Sequence, residues 1–314
     1  MKIVAQMDDI SQINFRKDST FAILLSAQNQ GHEIFYYLPS ELSYDFTSQI
    51  LSAEVKKIFL QEELNNHYKI LEQKQVNLKD FDVILLRQDP PFNMSYITTT
   101  YLLEKVADKV LVLNNPSSVR DCPEKWLVNL FPKLTPPTII SSDIRKIKEF
   151  YDFHQNIIIK PLYGNGGEGI ILIKKDDPNF SVILEMMSKC YDNLIVIQKF
   201  LPEVSKGDKR IILIDGEIAG AILRTPKKNE IRSNLHAGGS ASDVLLTDRD
   251  YEICQKLSPE LKKRGLFLVG IDIIGDYITE INVTSPTGLN EIKKLSGKDL
   301  SLQIVRHLER KILS

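Results

Sequence analysis

Cysteine is scarce in this chain: three in 314 residues, Cys122, Cys190 and Cys254, an odd number placed far apart. That excludes a disulfide framework and suits a reducing compartment. The five histidines (His32, His67, His154, His236 and His307) have no zinc-ligand spacing among themselves or against cysteine. No apolar run nears the roughly 20 residues that a membrane helix needs, and the longest candidates, such as IILIDGEIAGAIL, are broken by charge. The opening MKIVAQMDDIS turns acidic where a secretory signal would still be apolar, so a cytoplasmic protein is expected. An excess of charge of one sign is missing as well, since 40 Lys+Arg against 41 Asp+Glu leave −1. Without a basic block, neither nucleic acid nor an anionic membrane is an expected partner.

What is present looks like an ordinary globular protein, 43% hydrophobic and 26% charged. The length suggests about two domains at roughly 150 residues each, with three small ones possible. Apolar strands at 2–7, 33–38, 82–87 and 109–115 alternate with helical stretches, TFAILLSAQNQ stopped by Gly31 and the amphipathic SYITTTYLLEKVAD. Near-continuous apolar strands with helices between them predict a parallel sheet covered by helices. A turn-rich boundary is expected at 116–122, then helical EKWLVNLF, a helix over 143–154 and a strand over 156–162. Beyond a helix around 182–190 and a strand over 194–203, strand follows strand: RIILID, GEIAGAIL, LFLVGIDII and YITEINV, with a helix at 249–264 and a last one in DLSLQIVRHLERKIL. No internal repeat and no low-complexity segment interrupts this order.

GNGGEG (164–169) formally fits the dinucleotide fingerprint, which needs a strand before it and a helix after it. Here IILIKK follows, a strand pattern, so the spacing predicts a β-hairpin flap and argues against a nicotinamide-dependent oxidoreductase. A plain flexible hairpin is the simple alternative. Lys160 raises the functional reading, because a lysine beside bare backbone N–H groups suits phosphate oxygens.

The second constellation lies in LVGIDIIGDYITEINVTSPTG. Asp272 sits in one apolar strand, while Glu280 and Asn282, two apart in the next, share one face of it. Carboxylate and amide oxygens converging from paired strands are hard ligands of the kind Mg²⁺ takes. The alternative is the polar outer face of a sheet, though acidic residues in such apolar strands need compensation. A strict two-residue loop at Gly275-Asp276 would pair Asp272 with Thr279 and turn Glu280 away. Joint metal binding therefore requires an odd loop or a bulge.

Scattered cations form a third set: Lys125, Lys160, Lys209, Arg210, Arg224 and Arg232. Each alone is commonly a solvated charge, but Arg210 and Arg224 flank strongly apolar strand runs, which favours burial. The polar segment 225–242 is long for a hairpin connection, and such loops are often lids.

In order along the chain, RKDSTFAILL, VILLRQDPPF, NNPSSVRDCPEKW, IIKPLYGNGG, LPEVSKGDKRI, RSNLHAGG and LVGIDIIGDYITEINVTSPTG span nearly the whole sequence. Together they resemble the ATP-grasp superfamily, and closely the prokaryotic glutathione synthetases. The resemblance implies an α/β protein of three parts: an N-terminal α/β substrate domain (1–121), a central lid domain with the glycine-rich loop (122–200) and a C-terminal domain with the metal site and mobile loop (201–314). ATP would lie between two antiparallel sheets. By position, Lys125, Lys160, Gly164, Gly166 and Gly167 would face the phosphates, Gln198, Lys199, Phe200 and Leu201 would read adenine, and Asp208 would meet the ribose. Asp272, Glu280 and Asn282 would hold Mg²⁺, or Mn²⁺. Arg210 and Arg224 would stand near the transferred phosphate and acyl group, with Arg232 and Asn234 in the closing loop. Ser19, Arg87, Asp89, Ser285 and Thr287 would build the dipeptide site.

The reaction so implied joins γ-glutamylcysteine and glycine with ATP, through an acyl phosphate that must be shielded from water. No Ser, Cys or His nucleophile is needed, and the three cysteines read as packing residues. Departures from the family pattern are Lys199 in the adenine hinge, His236 in the closing loop and the stretch Gly288-Leu289-Asn290. Alternatives are an ATP-grasp ligase with another acceptor and a non-catalytic ATP-binding module. Family members are often tetramers, which sets that expectation here, and no role is legible for the segment around 54–77.

Overall fold

Runs that are apolar at almost every position build the first sheet. The computed structural model describes residues 1–190 and 194–313, except for the side chain of His236, so that departure lies outside what is described. β1 (Lys2–Gln6), β2 (Glu33–Tyr37), β3 (Leu42–Asp45), β4 (Ile50–Leu60), β5 (Tyr68–Asn77), β6 (Val83–Leu86) and β7 (Leu111–Leu113) are ordered β3-β4-β2-β1-β6-β7, with β5 paired to β4. β2, β1, β6 and β7 run parallel, and all four residues of β6 are buried, as both faces of such a sheet require. α1 (Ser19–Asn29) starts at Asp18, whose carboxylate accepts from the Phe21 N–H at 2.6 Å, and ends before Gly31 at φ +82°. α2 (Met94–Glu104) and α3 (Pro116–Asp121) follow. The expected turn at 116–122 is thus a short helix, capped by Asn115 with Pro116 at its first position.

The second sheet is wholly antiparallel, ordered β10-β9-β11-β8 from β8 (Thr138–Ser141), β9 (Ile157–Pro161), β10 (Ile171–Ile173) and β11 (Ile195–Lys199). β9 and β10 pair across the glycine-rich loop, so the loop is a hairpin flap, as the strand after it predicts. α4 (Ile144–His154) and α5 (Phe180–Cys190) close this sheet's own core around Ile147, Ile159, Leu184 and Ile197. EKWLVNLF forms only a 3₁₀ turn at Leu127–Leu130.

The third sheet is ordered β14-β13-β12-β15-β16, from β12 (Asp208–Ile214), β13 (Glu217–Thr225), β14 (Ser240–Ser242), β15 (Leu268–Ile274) and β16 (Tyr277–Asn282). α6 (Asp248–Lys263), α7 (Leu289–Ser296) and α8 (Leu300–Leu313) complete the chain. Its core is continuous with that of the first sheet: Val4 and Val112 belong with Ile211 and Val269, and Ile3 and Leu85 with Ile212 and Ile304. Asn114 ties the two together, accepting from the Leu268 N–H at 2.8 Å and donating to the carbonyls of Leu268 and Val283 at 2.9 and 2.6 Å. A distinct small core therefore supports the second sheet, while the first and third share theirs.

Candidate active site

Register on the third sheet sets the site. Asp208 and Arg210 lie two apart on β12 and share a face. Asp208 pairs with Arg224, Arg210 with Asp272, Asp272 with Glu280, and Gly270 with Asn282. Residues opposite one another project to the same side, so all six polar groups gather on one face. Gly275-Asp276 is a two-residue loop, with Ile274 opposite Tyr277, yet Asp272 does not meet Thr279. Ile273 pairs with Ile278, Thr279 is the extra residue of a bulge, and its Oγ1 donates to the Asp272 carbonyl at 3.2 Å. The bulge that joint metal binding requires is thus present, and it returns Glu280 to Asp272's side. Gly270 leaves room for a guanidinium, since a Cβ there would stand 3.2 Å from Cδ of Arg210 and 3.1 Å from Cβ of Pro286.

Charges on this face are tightly paired. Arg210 donates through Nε and Nη2 to the two oxygens of Asp272 at 2.5 and 2.9 Å. Arg224 donates to both oxygens of Asp208 at 2.7 Å, and its Nη2 lies 3.0 Å from Asp272 Oδ2. Burial alone would push Asp272 up, but the two guanidinium groups hold it well below the usual carboxylate range. Burial and the charge on Asp272 raise Asp208 against the pull of Arg224. Glu280 is looser, its closest cation being Lys125 at 3.9 Å. Asn282 donates from Nδ2 to the Gly270 carbonyl at 3.1 Å and to Asp272 Oδ2 at 3.3 Å, which leaves its Oδ1 for another partner.

Two pockets meet here. The first lies between the second and third sheets, walled by Ile158, Ile170, Leu201, Val204 and Ile274 and edged by Lys160, Gln198, Lys199, Phe200 and Asp208. Lys160 is buried on β9, donates to Gln198 Oε1 at 3.0 Å, and is pushed down by desolvation. Gln198 in turn donates to Thr138 Oγ1 at 2.9 Å, so β8, a strand with no clear sequence signal, fixes a predicted site residue. The second is a cleft of about 2900 Å³, part of it open solvent, reaching the first sheet. Arg224, Asp272, Glu280, Gly167 and Asn234 line both. Lys125 joins the cleft with its ammonium on the Gly164 carbonyl.

The glycine loop and the 225–242 segment touch. Asn234 donates through Nδ2 to the Gly166 carbonyl. A Cβ on Gly167 would meet Asn234 Oδ1 at 2.8 Å and Arg232 Cδ at 3.2 Å and push those side chains aside, and φ +80° is a backbone conformation that favours glycine. Arg232 itself is held by Glu230, donating to its carboxylate at 2.7 and 3.1 Å.

At the far end of the cleft, Arg87 is buried, donating to Thr20 Oγ1 at 3.0 Å and to the Pro286 carbonyl at 3.1 Å. Its Nη1 is buried with no partner among the described residues. Asp89 accepts from Ser285 Oγ at 2.5 Å, and Thr287 lines the same wall, its carbonyl 3.4 Å from Arg210 Nη1. Ser19 does not reach the cleft: it is buried in the first turn of α1, and Asp18 and Thr20 on either side line the wall instead. Asp18 is the extended N-cap ahead of the helix, so only Ser19 and Thr20 follow helical geometry, and those two point about 100° apart. Glu124, Asp8 and Asp18 are cleft residues that sequence reasoning missed. Burial raises all three, with Glu280 adding to the effect at Glu124, which accepts from Thr284 Oγ1 at 2.8 Å. Glu124 adjoins Lys125, a signal that was available; Asp18 reads as a helix cap, which it also is.

The N-terminal domain of the prokaryotic glutathione synthetases matches residues 1–120, and their ATP-grasp domain matches 124–297. This chain belongs to the prokaryotic glutathione synthetase family. Glutathione synthetase of Agrobacterium fabrum is 47% identical over 98% of this chain and 96% of that one. The Buchnera aphidicola glutathione synthetase is 44% identical over 99% and 98%. Among solved structures, a D-cycloserine synthetase superposes with a TM-score of 0.71 at 13% identity over 99% of each chain. The ATP-grasp ligase PsnB, with a minimal precursor variant, Mg and ADP, does so at 0.65 and 15%, over 99% of this chain and 98% of that one. Identities this low speak to the fold, which is ATP-grasp. For a family member, the two pockets and their shared polar face are the natural place to look for chemistry.

Proposed function

We propose that the chain joins γ-glutamylcysteine to glycine with ATP, releasing glutathione, ADP and phosphate. The observation that carries this is the coincidence of a family match over both domains with two pockets that meet at Arg224, Asp272 and Glu280. The mostly apolar pocket suits adenine, with Gln198, Lys199, Phe200 and Leu201 along its rim and Asp208 toward the ribose. The cleft suits the dipeptide, with Arg87, Asp89, Ser285 and Thr287 lining it; Ser19 would act only from beneath, through Thr20 and Asp18.

In the first step a carboxylate oxygen of the dipeptide attacks the γ-phosphorus and ADP leaves. The free amine of glycine then attacks the acyl carbon, and phosphate departs with the bonding pair and takes up the proton that the nitrogen releases. Lys125, Lys160, Arg210 and Arg224 supply fixed positive charge where negative charge spreads, which is electrostatic and positioning work. Among the described residues no group of three or more His, Cys, Asp or Glu is placed to hold a metal ion by itself; the candidate set is two carboxylates and an amide. That donor chemistry fits Mg²⁺, which accepts one or two carboxylates and keeps water or phosphate in its other positions. Asp272, Glu280 and Asn282 would hold Mg²⁺ or Mn²⁺, which would neutralise phosphate oxygens. Cytoplasmic residence, assembly as a homotetramer and the three-part division at 121 and 200 complete the reading.

Arg232, Asn234 and the glycine loop would exclude water as a closing lid. Lys227 and Lys228 are exposed in that segment, so trypsin is expected to nick the free protein there and to spare it once ATP and dipeptide are bound. Equal cleavage in both states would reject the lid. The function itself is tested by ADP release with Mg²⁺-ATP and γ-glutamylcysteine, with and without glycine. Glycine-dependent ADP matched by glutathione is expected. ADP that appears only with a different amine would identify a ligase of another acceptor, and bound ATP without turnover a binding module.

A further inference from the structure

The β4–β5 hairpin covers the 54–77 segment for which the sequence offers no role, and the connection between its strands carries His67, only 9% exposed. His67 Nε2 lies 2.8 Å from the carbonyl oxygen of Ile10; a carbonyl only accepts, so Nε2 carries the hydrogen. The same ring stacks on Phe15, centroids 5.4 Å apart and 13° between planes, and meets Phe21 of α1 edge-on at 5.9 Å. Ile10 and Phe15 are both buried, whereas Gln12, Ile13 and Asn14 between them line the cleft. One imidazole therefore grips both buried ends of a cleft-lining loop that lacks regular secondary structure. The grip is itself braced across the hairpin: the Gln61 N–H donates to the His67 carbonyl at 3.0 Å, and Gln61 Nε2 donates to that of Asn66 at 2.6 Å. No residue of 8–18 lines the adenine-sided pocket.

We propose that His67 is a positioning residue for the dipeptide, acting through residues 12–14, and that the β4–β5 hairpin exists in this fold as the strut that delivers it. The inference rests on reading the cleft as the dipeptide site. His67→Phe keeps the stacked ring and removes the donor; His67→Gln restores a donor near the Nε2 position. In the Phe variant the KM for γ-glutamylcysteine is expected to rise roughly fivefold to tenfold, the range one lost neutral hydrogen bond carries. KM for ATP and kcat should stay within about twofold, and the Gln variant should recover most of the loss. Amide hydrogen exchange over 10–17 in the ligand-free Phe variant should quicken while that of β9 and β11 does not. A wild-type KM for the dipeptide in His67→Phe, or equal rises for dipeptide and ATP, would overturn the proposal. If the wild-type protein made no glutathione, the cleft reading would fail, and the exchange comparison would still judge the grip: unchanged exchange over 10–17 would overturn it.

Discussion

Glu280→Gln is expected to lower kcat by at least roughly 10²–10³-fold, the loss typical of removing one preorganised charge-stabilising group, while the unfolding transition barely moves. The two halves of this expectation have separate causes. Glu280 stands opposite Asp272 only because Thr279 bulges, and it lines both pockets where phosphate oxygens would lie. Yet its carboxylate takes little part in holding the fold, with Lys125 3.9 Å away as its nearest cation. Neutralising it removes charge from the site and disturbs little packing. Steady-state kinetics with saturating Mg²⁺, alongside thermal unfolding, checks both. A variant that turned over at the wild-type rate would remove Glu280 from the metal set, and a collapse in Tm would make it a structural residue.

Asp272→Asn should behave differently and lose stability as well as turnover. Asp272 is 4% exposed and neutralises two buried guanidinium groups, Arg210 by a two-bond fork and Arg224 at 3.0 Å. Deleting one charge from such a network leaves the others uncompensated in a poor solvent for ions, a cost of about 3–5 kcal/mol. Its pH dependence has a definite sign. The arginines hold Asp272 below the ordinary carboxylate range in the folded state. Its contribution is therefore complete above the unfolded pKa of about 3.9 and is lost as pH falls from there toward the lower folded value. The stability gap between wild type and Asp272→Asn should be constant near neutrality and narrow below about pH 4. Urea unfolding of both proteins across that range measures it; a gap that widened in acid would contradict the pairing.

Local patterns made much of this molecule legible. Continuous apolar runs at β1, β2 and β6 announce a parallel sheet, and Gly31 marks a helix end. The strand after the glycine loop separates a flap from a dinucleotide turn. Signals that failed did so for identifiable reasons. β8 has only four residues, all half-buried, too short for a period to show. α7 starts inside Gly288-Leu289-Asn290, where Gly288 is the N-cap at φ +116° and supplies no side-chain cap to mark the helix start. EKWLVNLF carries helical spacing but gains only a 3₁₀ turn, held by tertiary packing on Leu127 and Val128.

By itself the sequence determined the family, through the resemblance of its ordered motifs, and, through spacing, the placement of Glu280 with Asn282 and the condition that Asp272 could join them only across an odd loop or a bulge. The placement and the condition are statements about neighbours along the chain, which spacing encodes directly. Tertiary structure alone decided that the bulge falls on Thr279, that Arg224 bridges Asp208 and Asp272, and that Thr20 rather than Ser19 faces the cleft. It also decided that His67 reaches back to Ile10 and Phe15. Register, side-chain direction and long-range pairing depend on which surfaces are buried against which. That is a property of the whole packed chain, and no window of the sequence contains it.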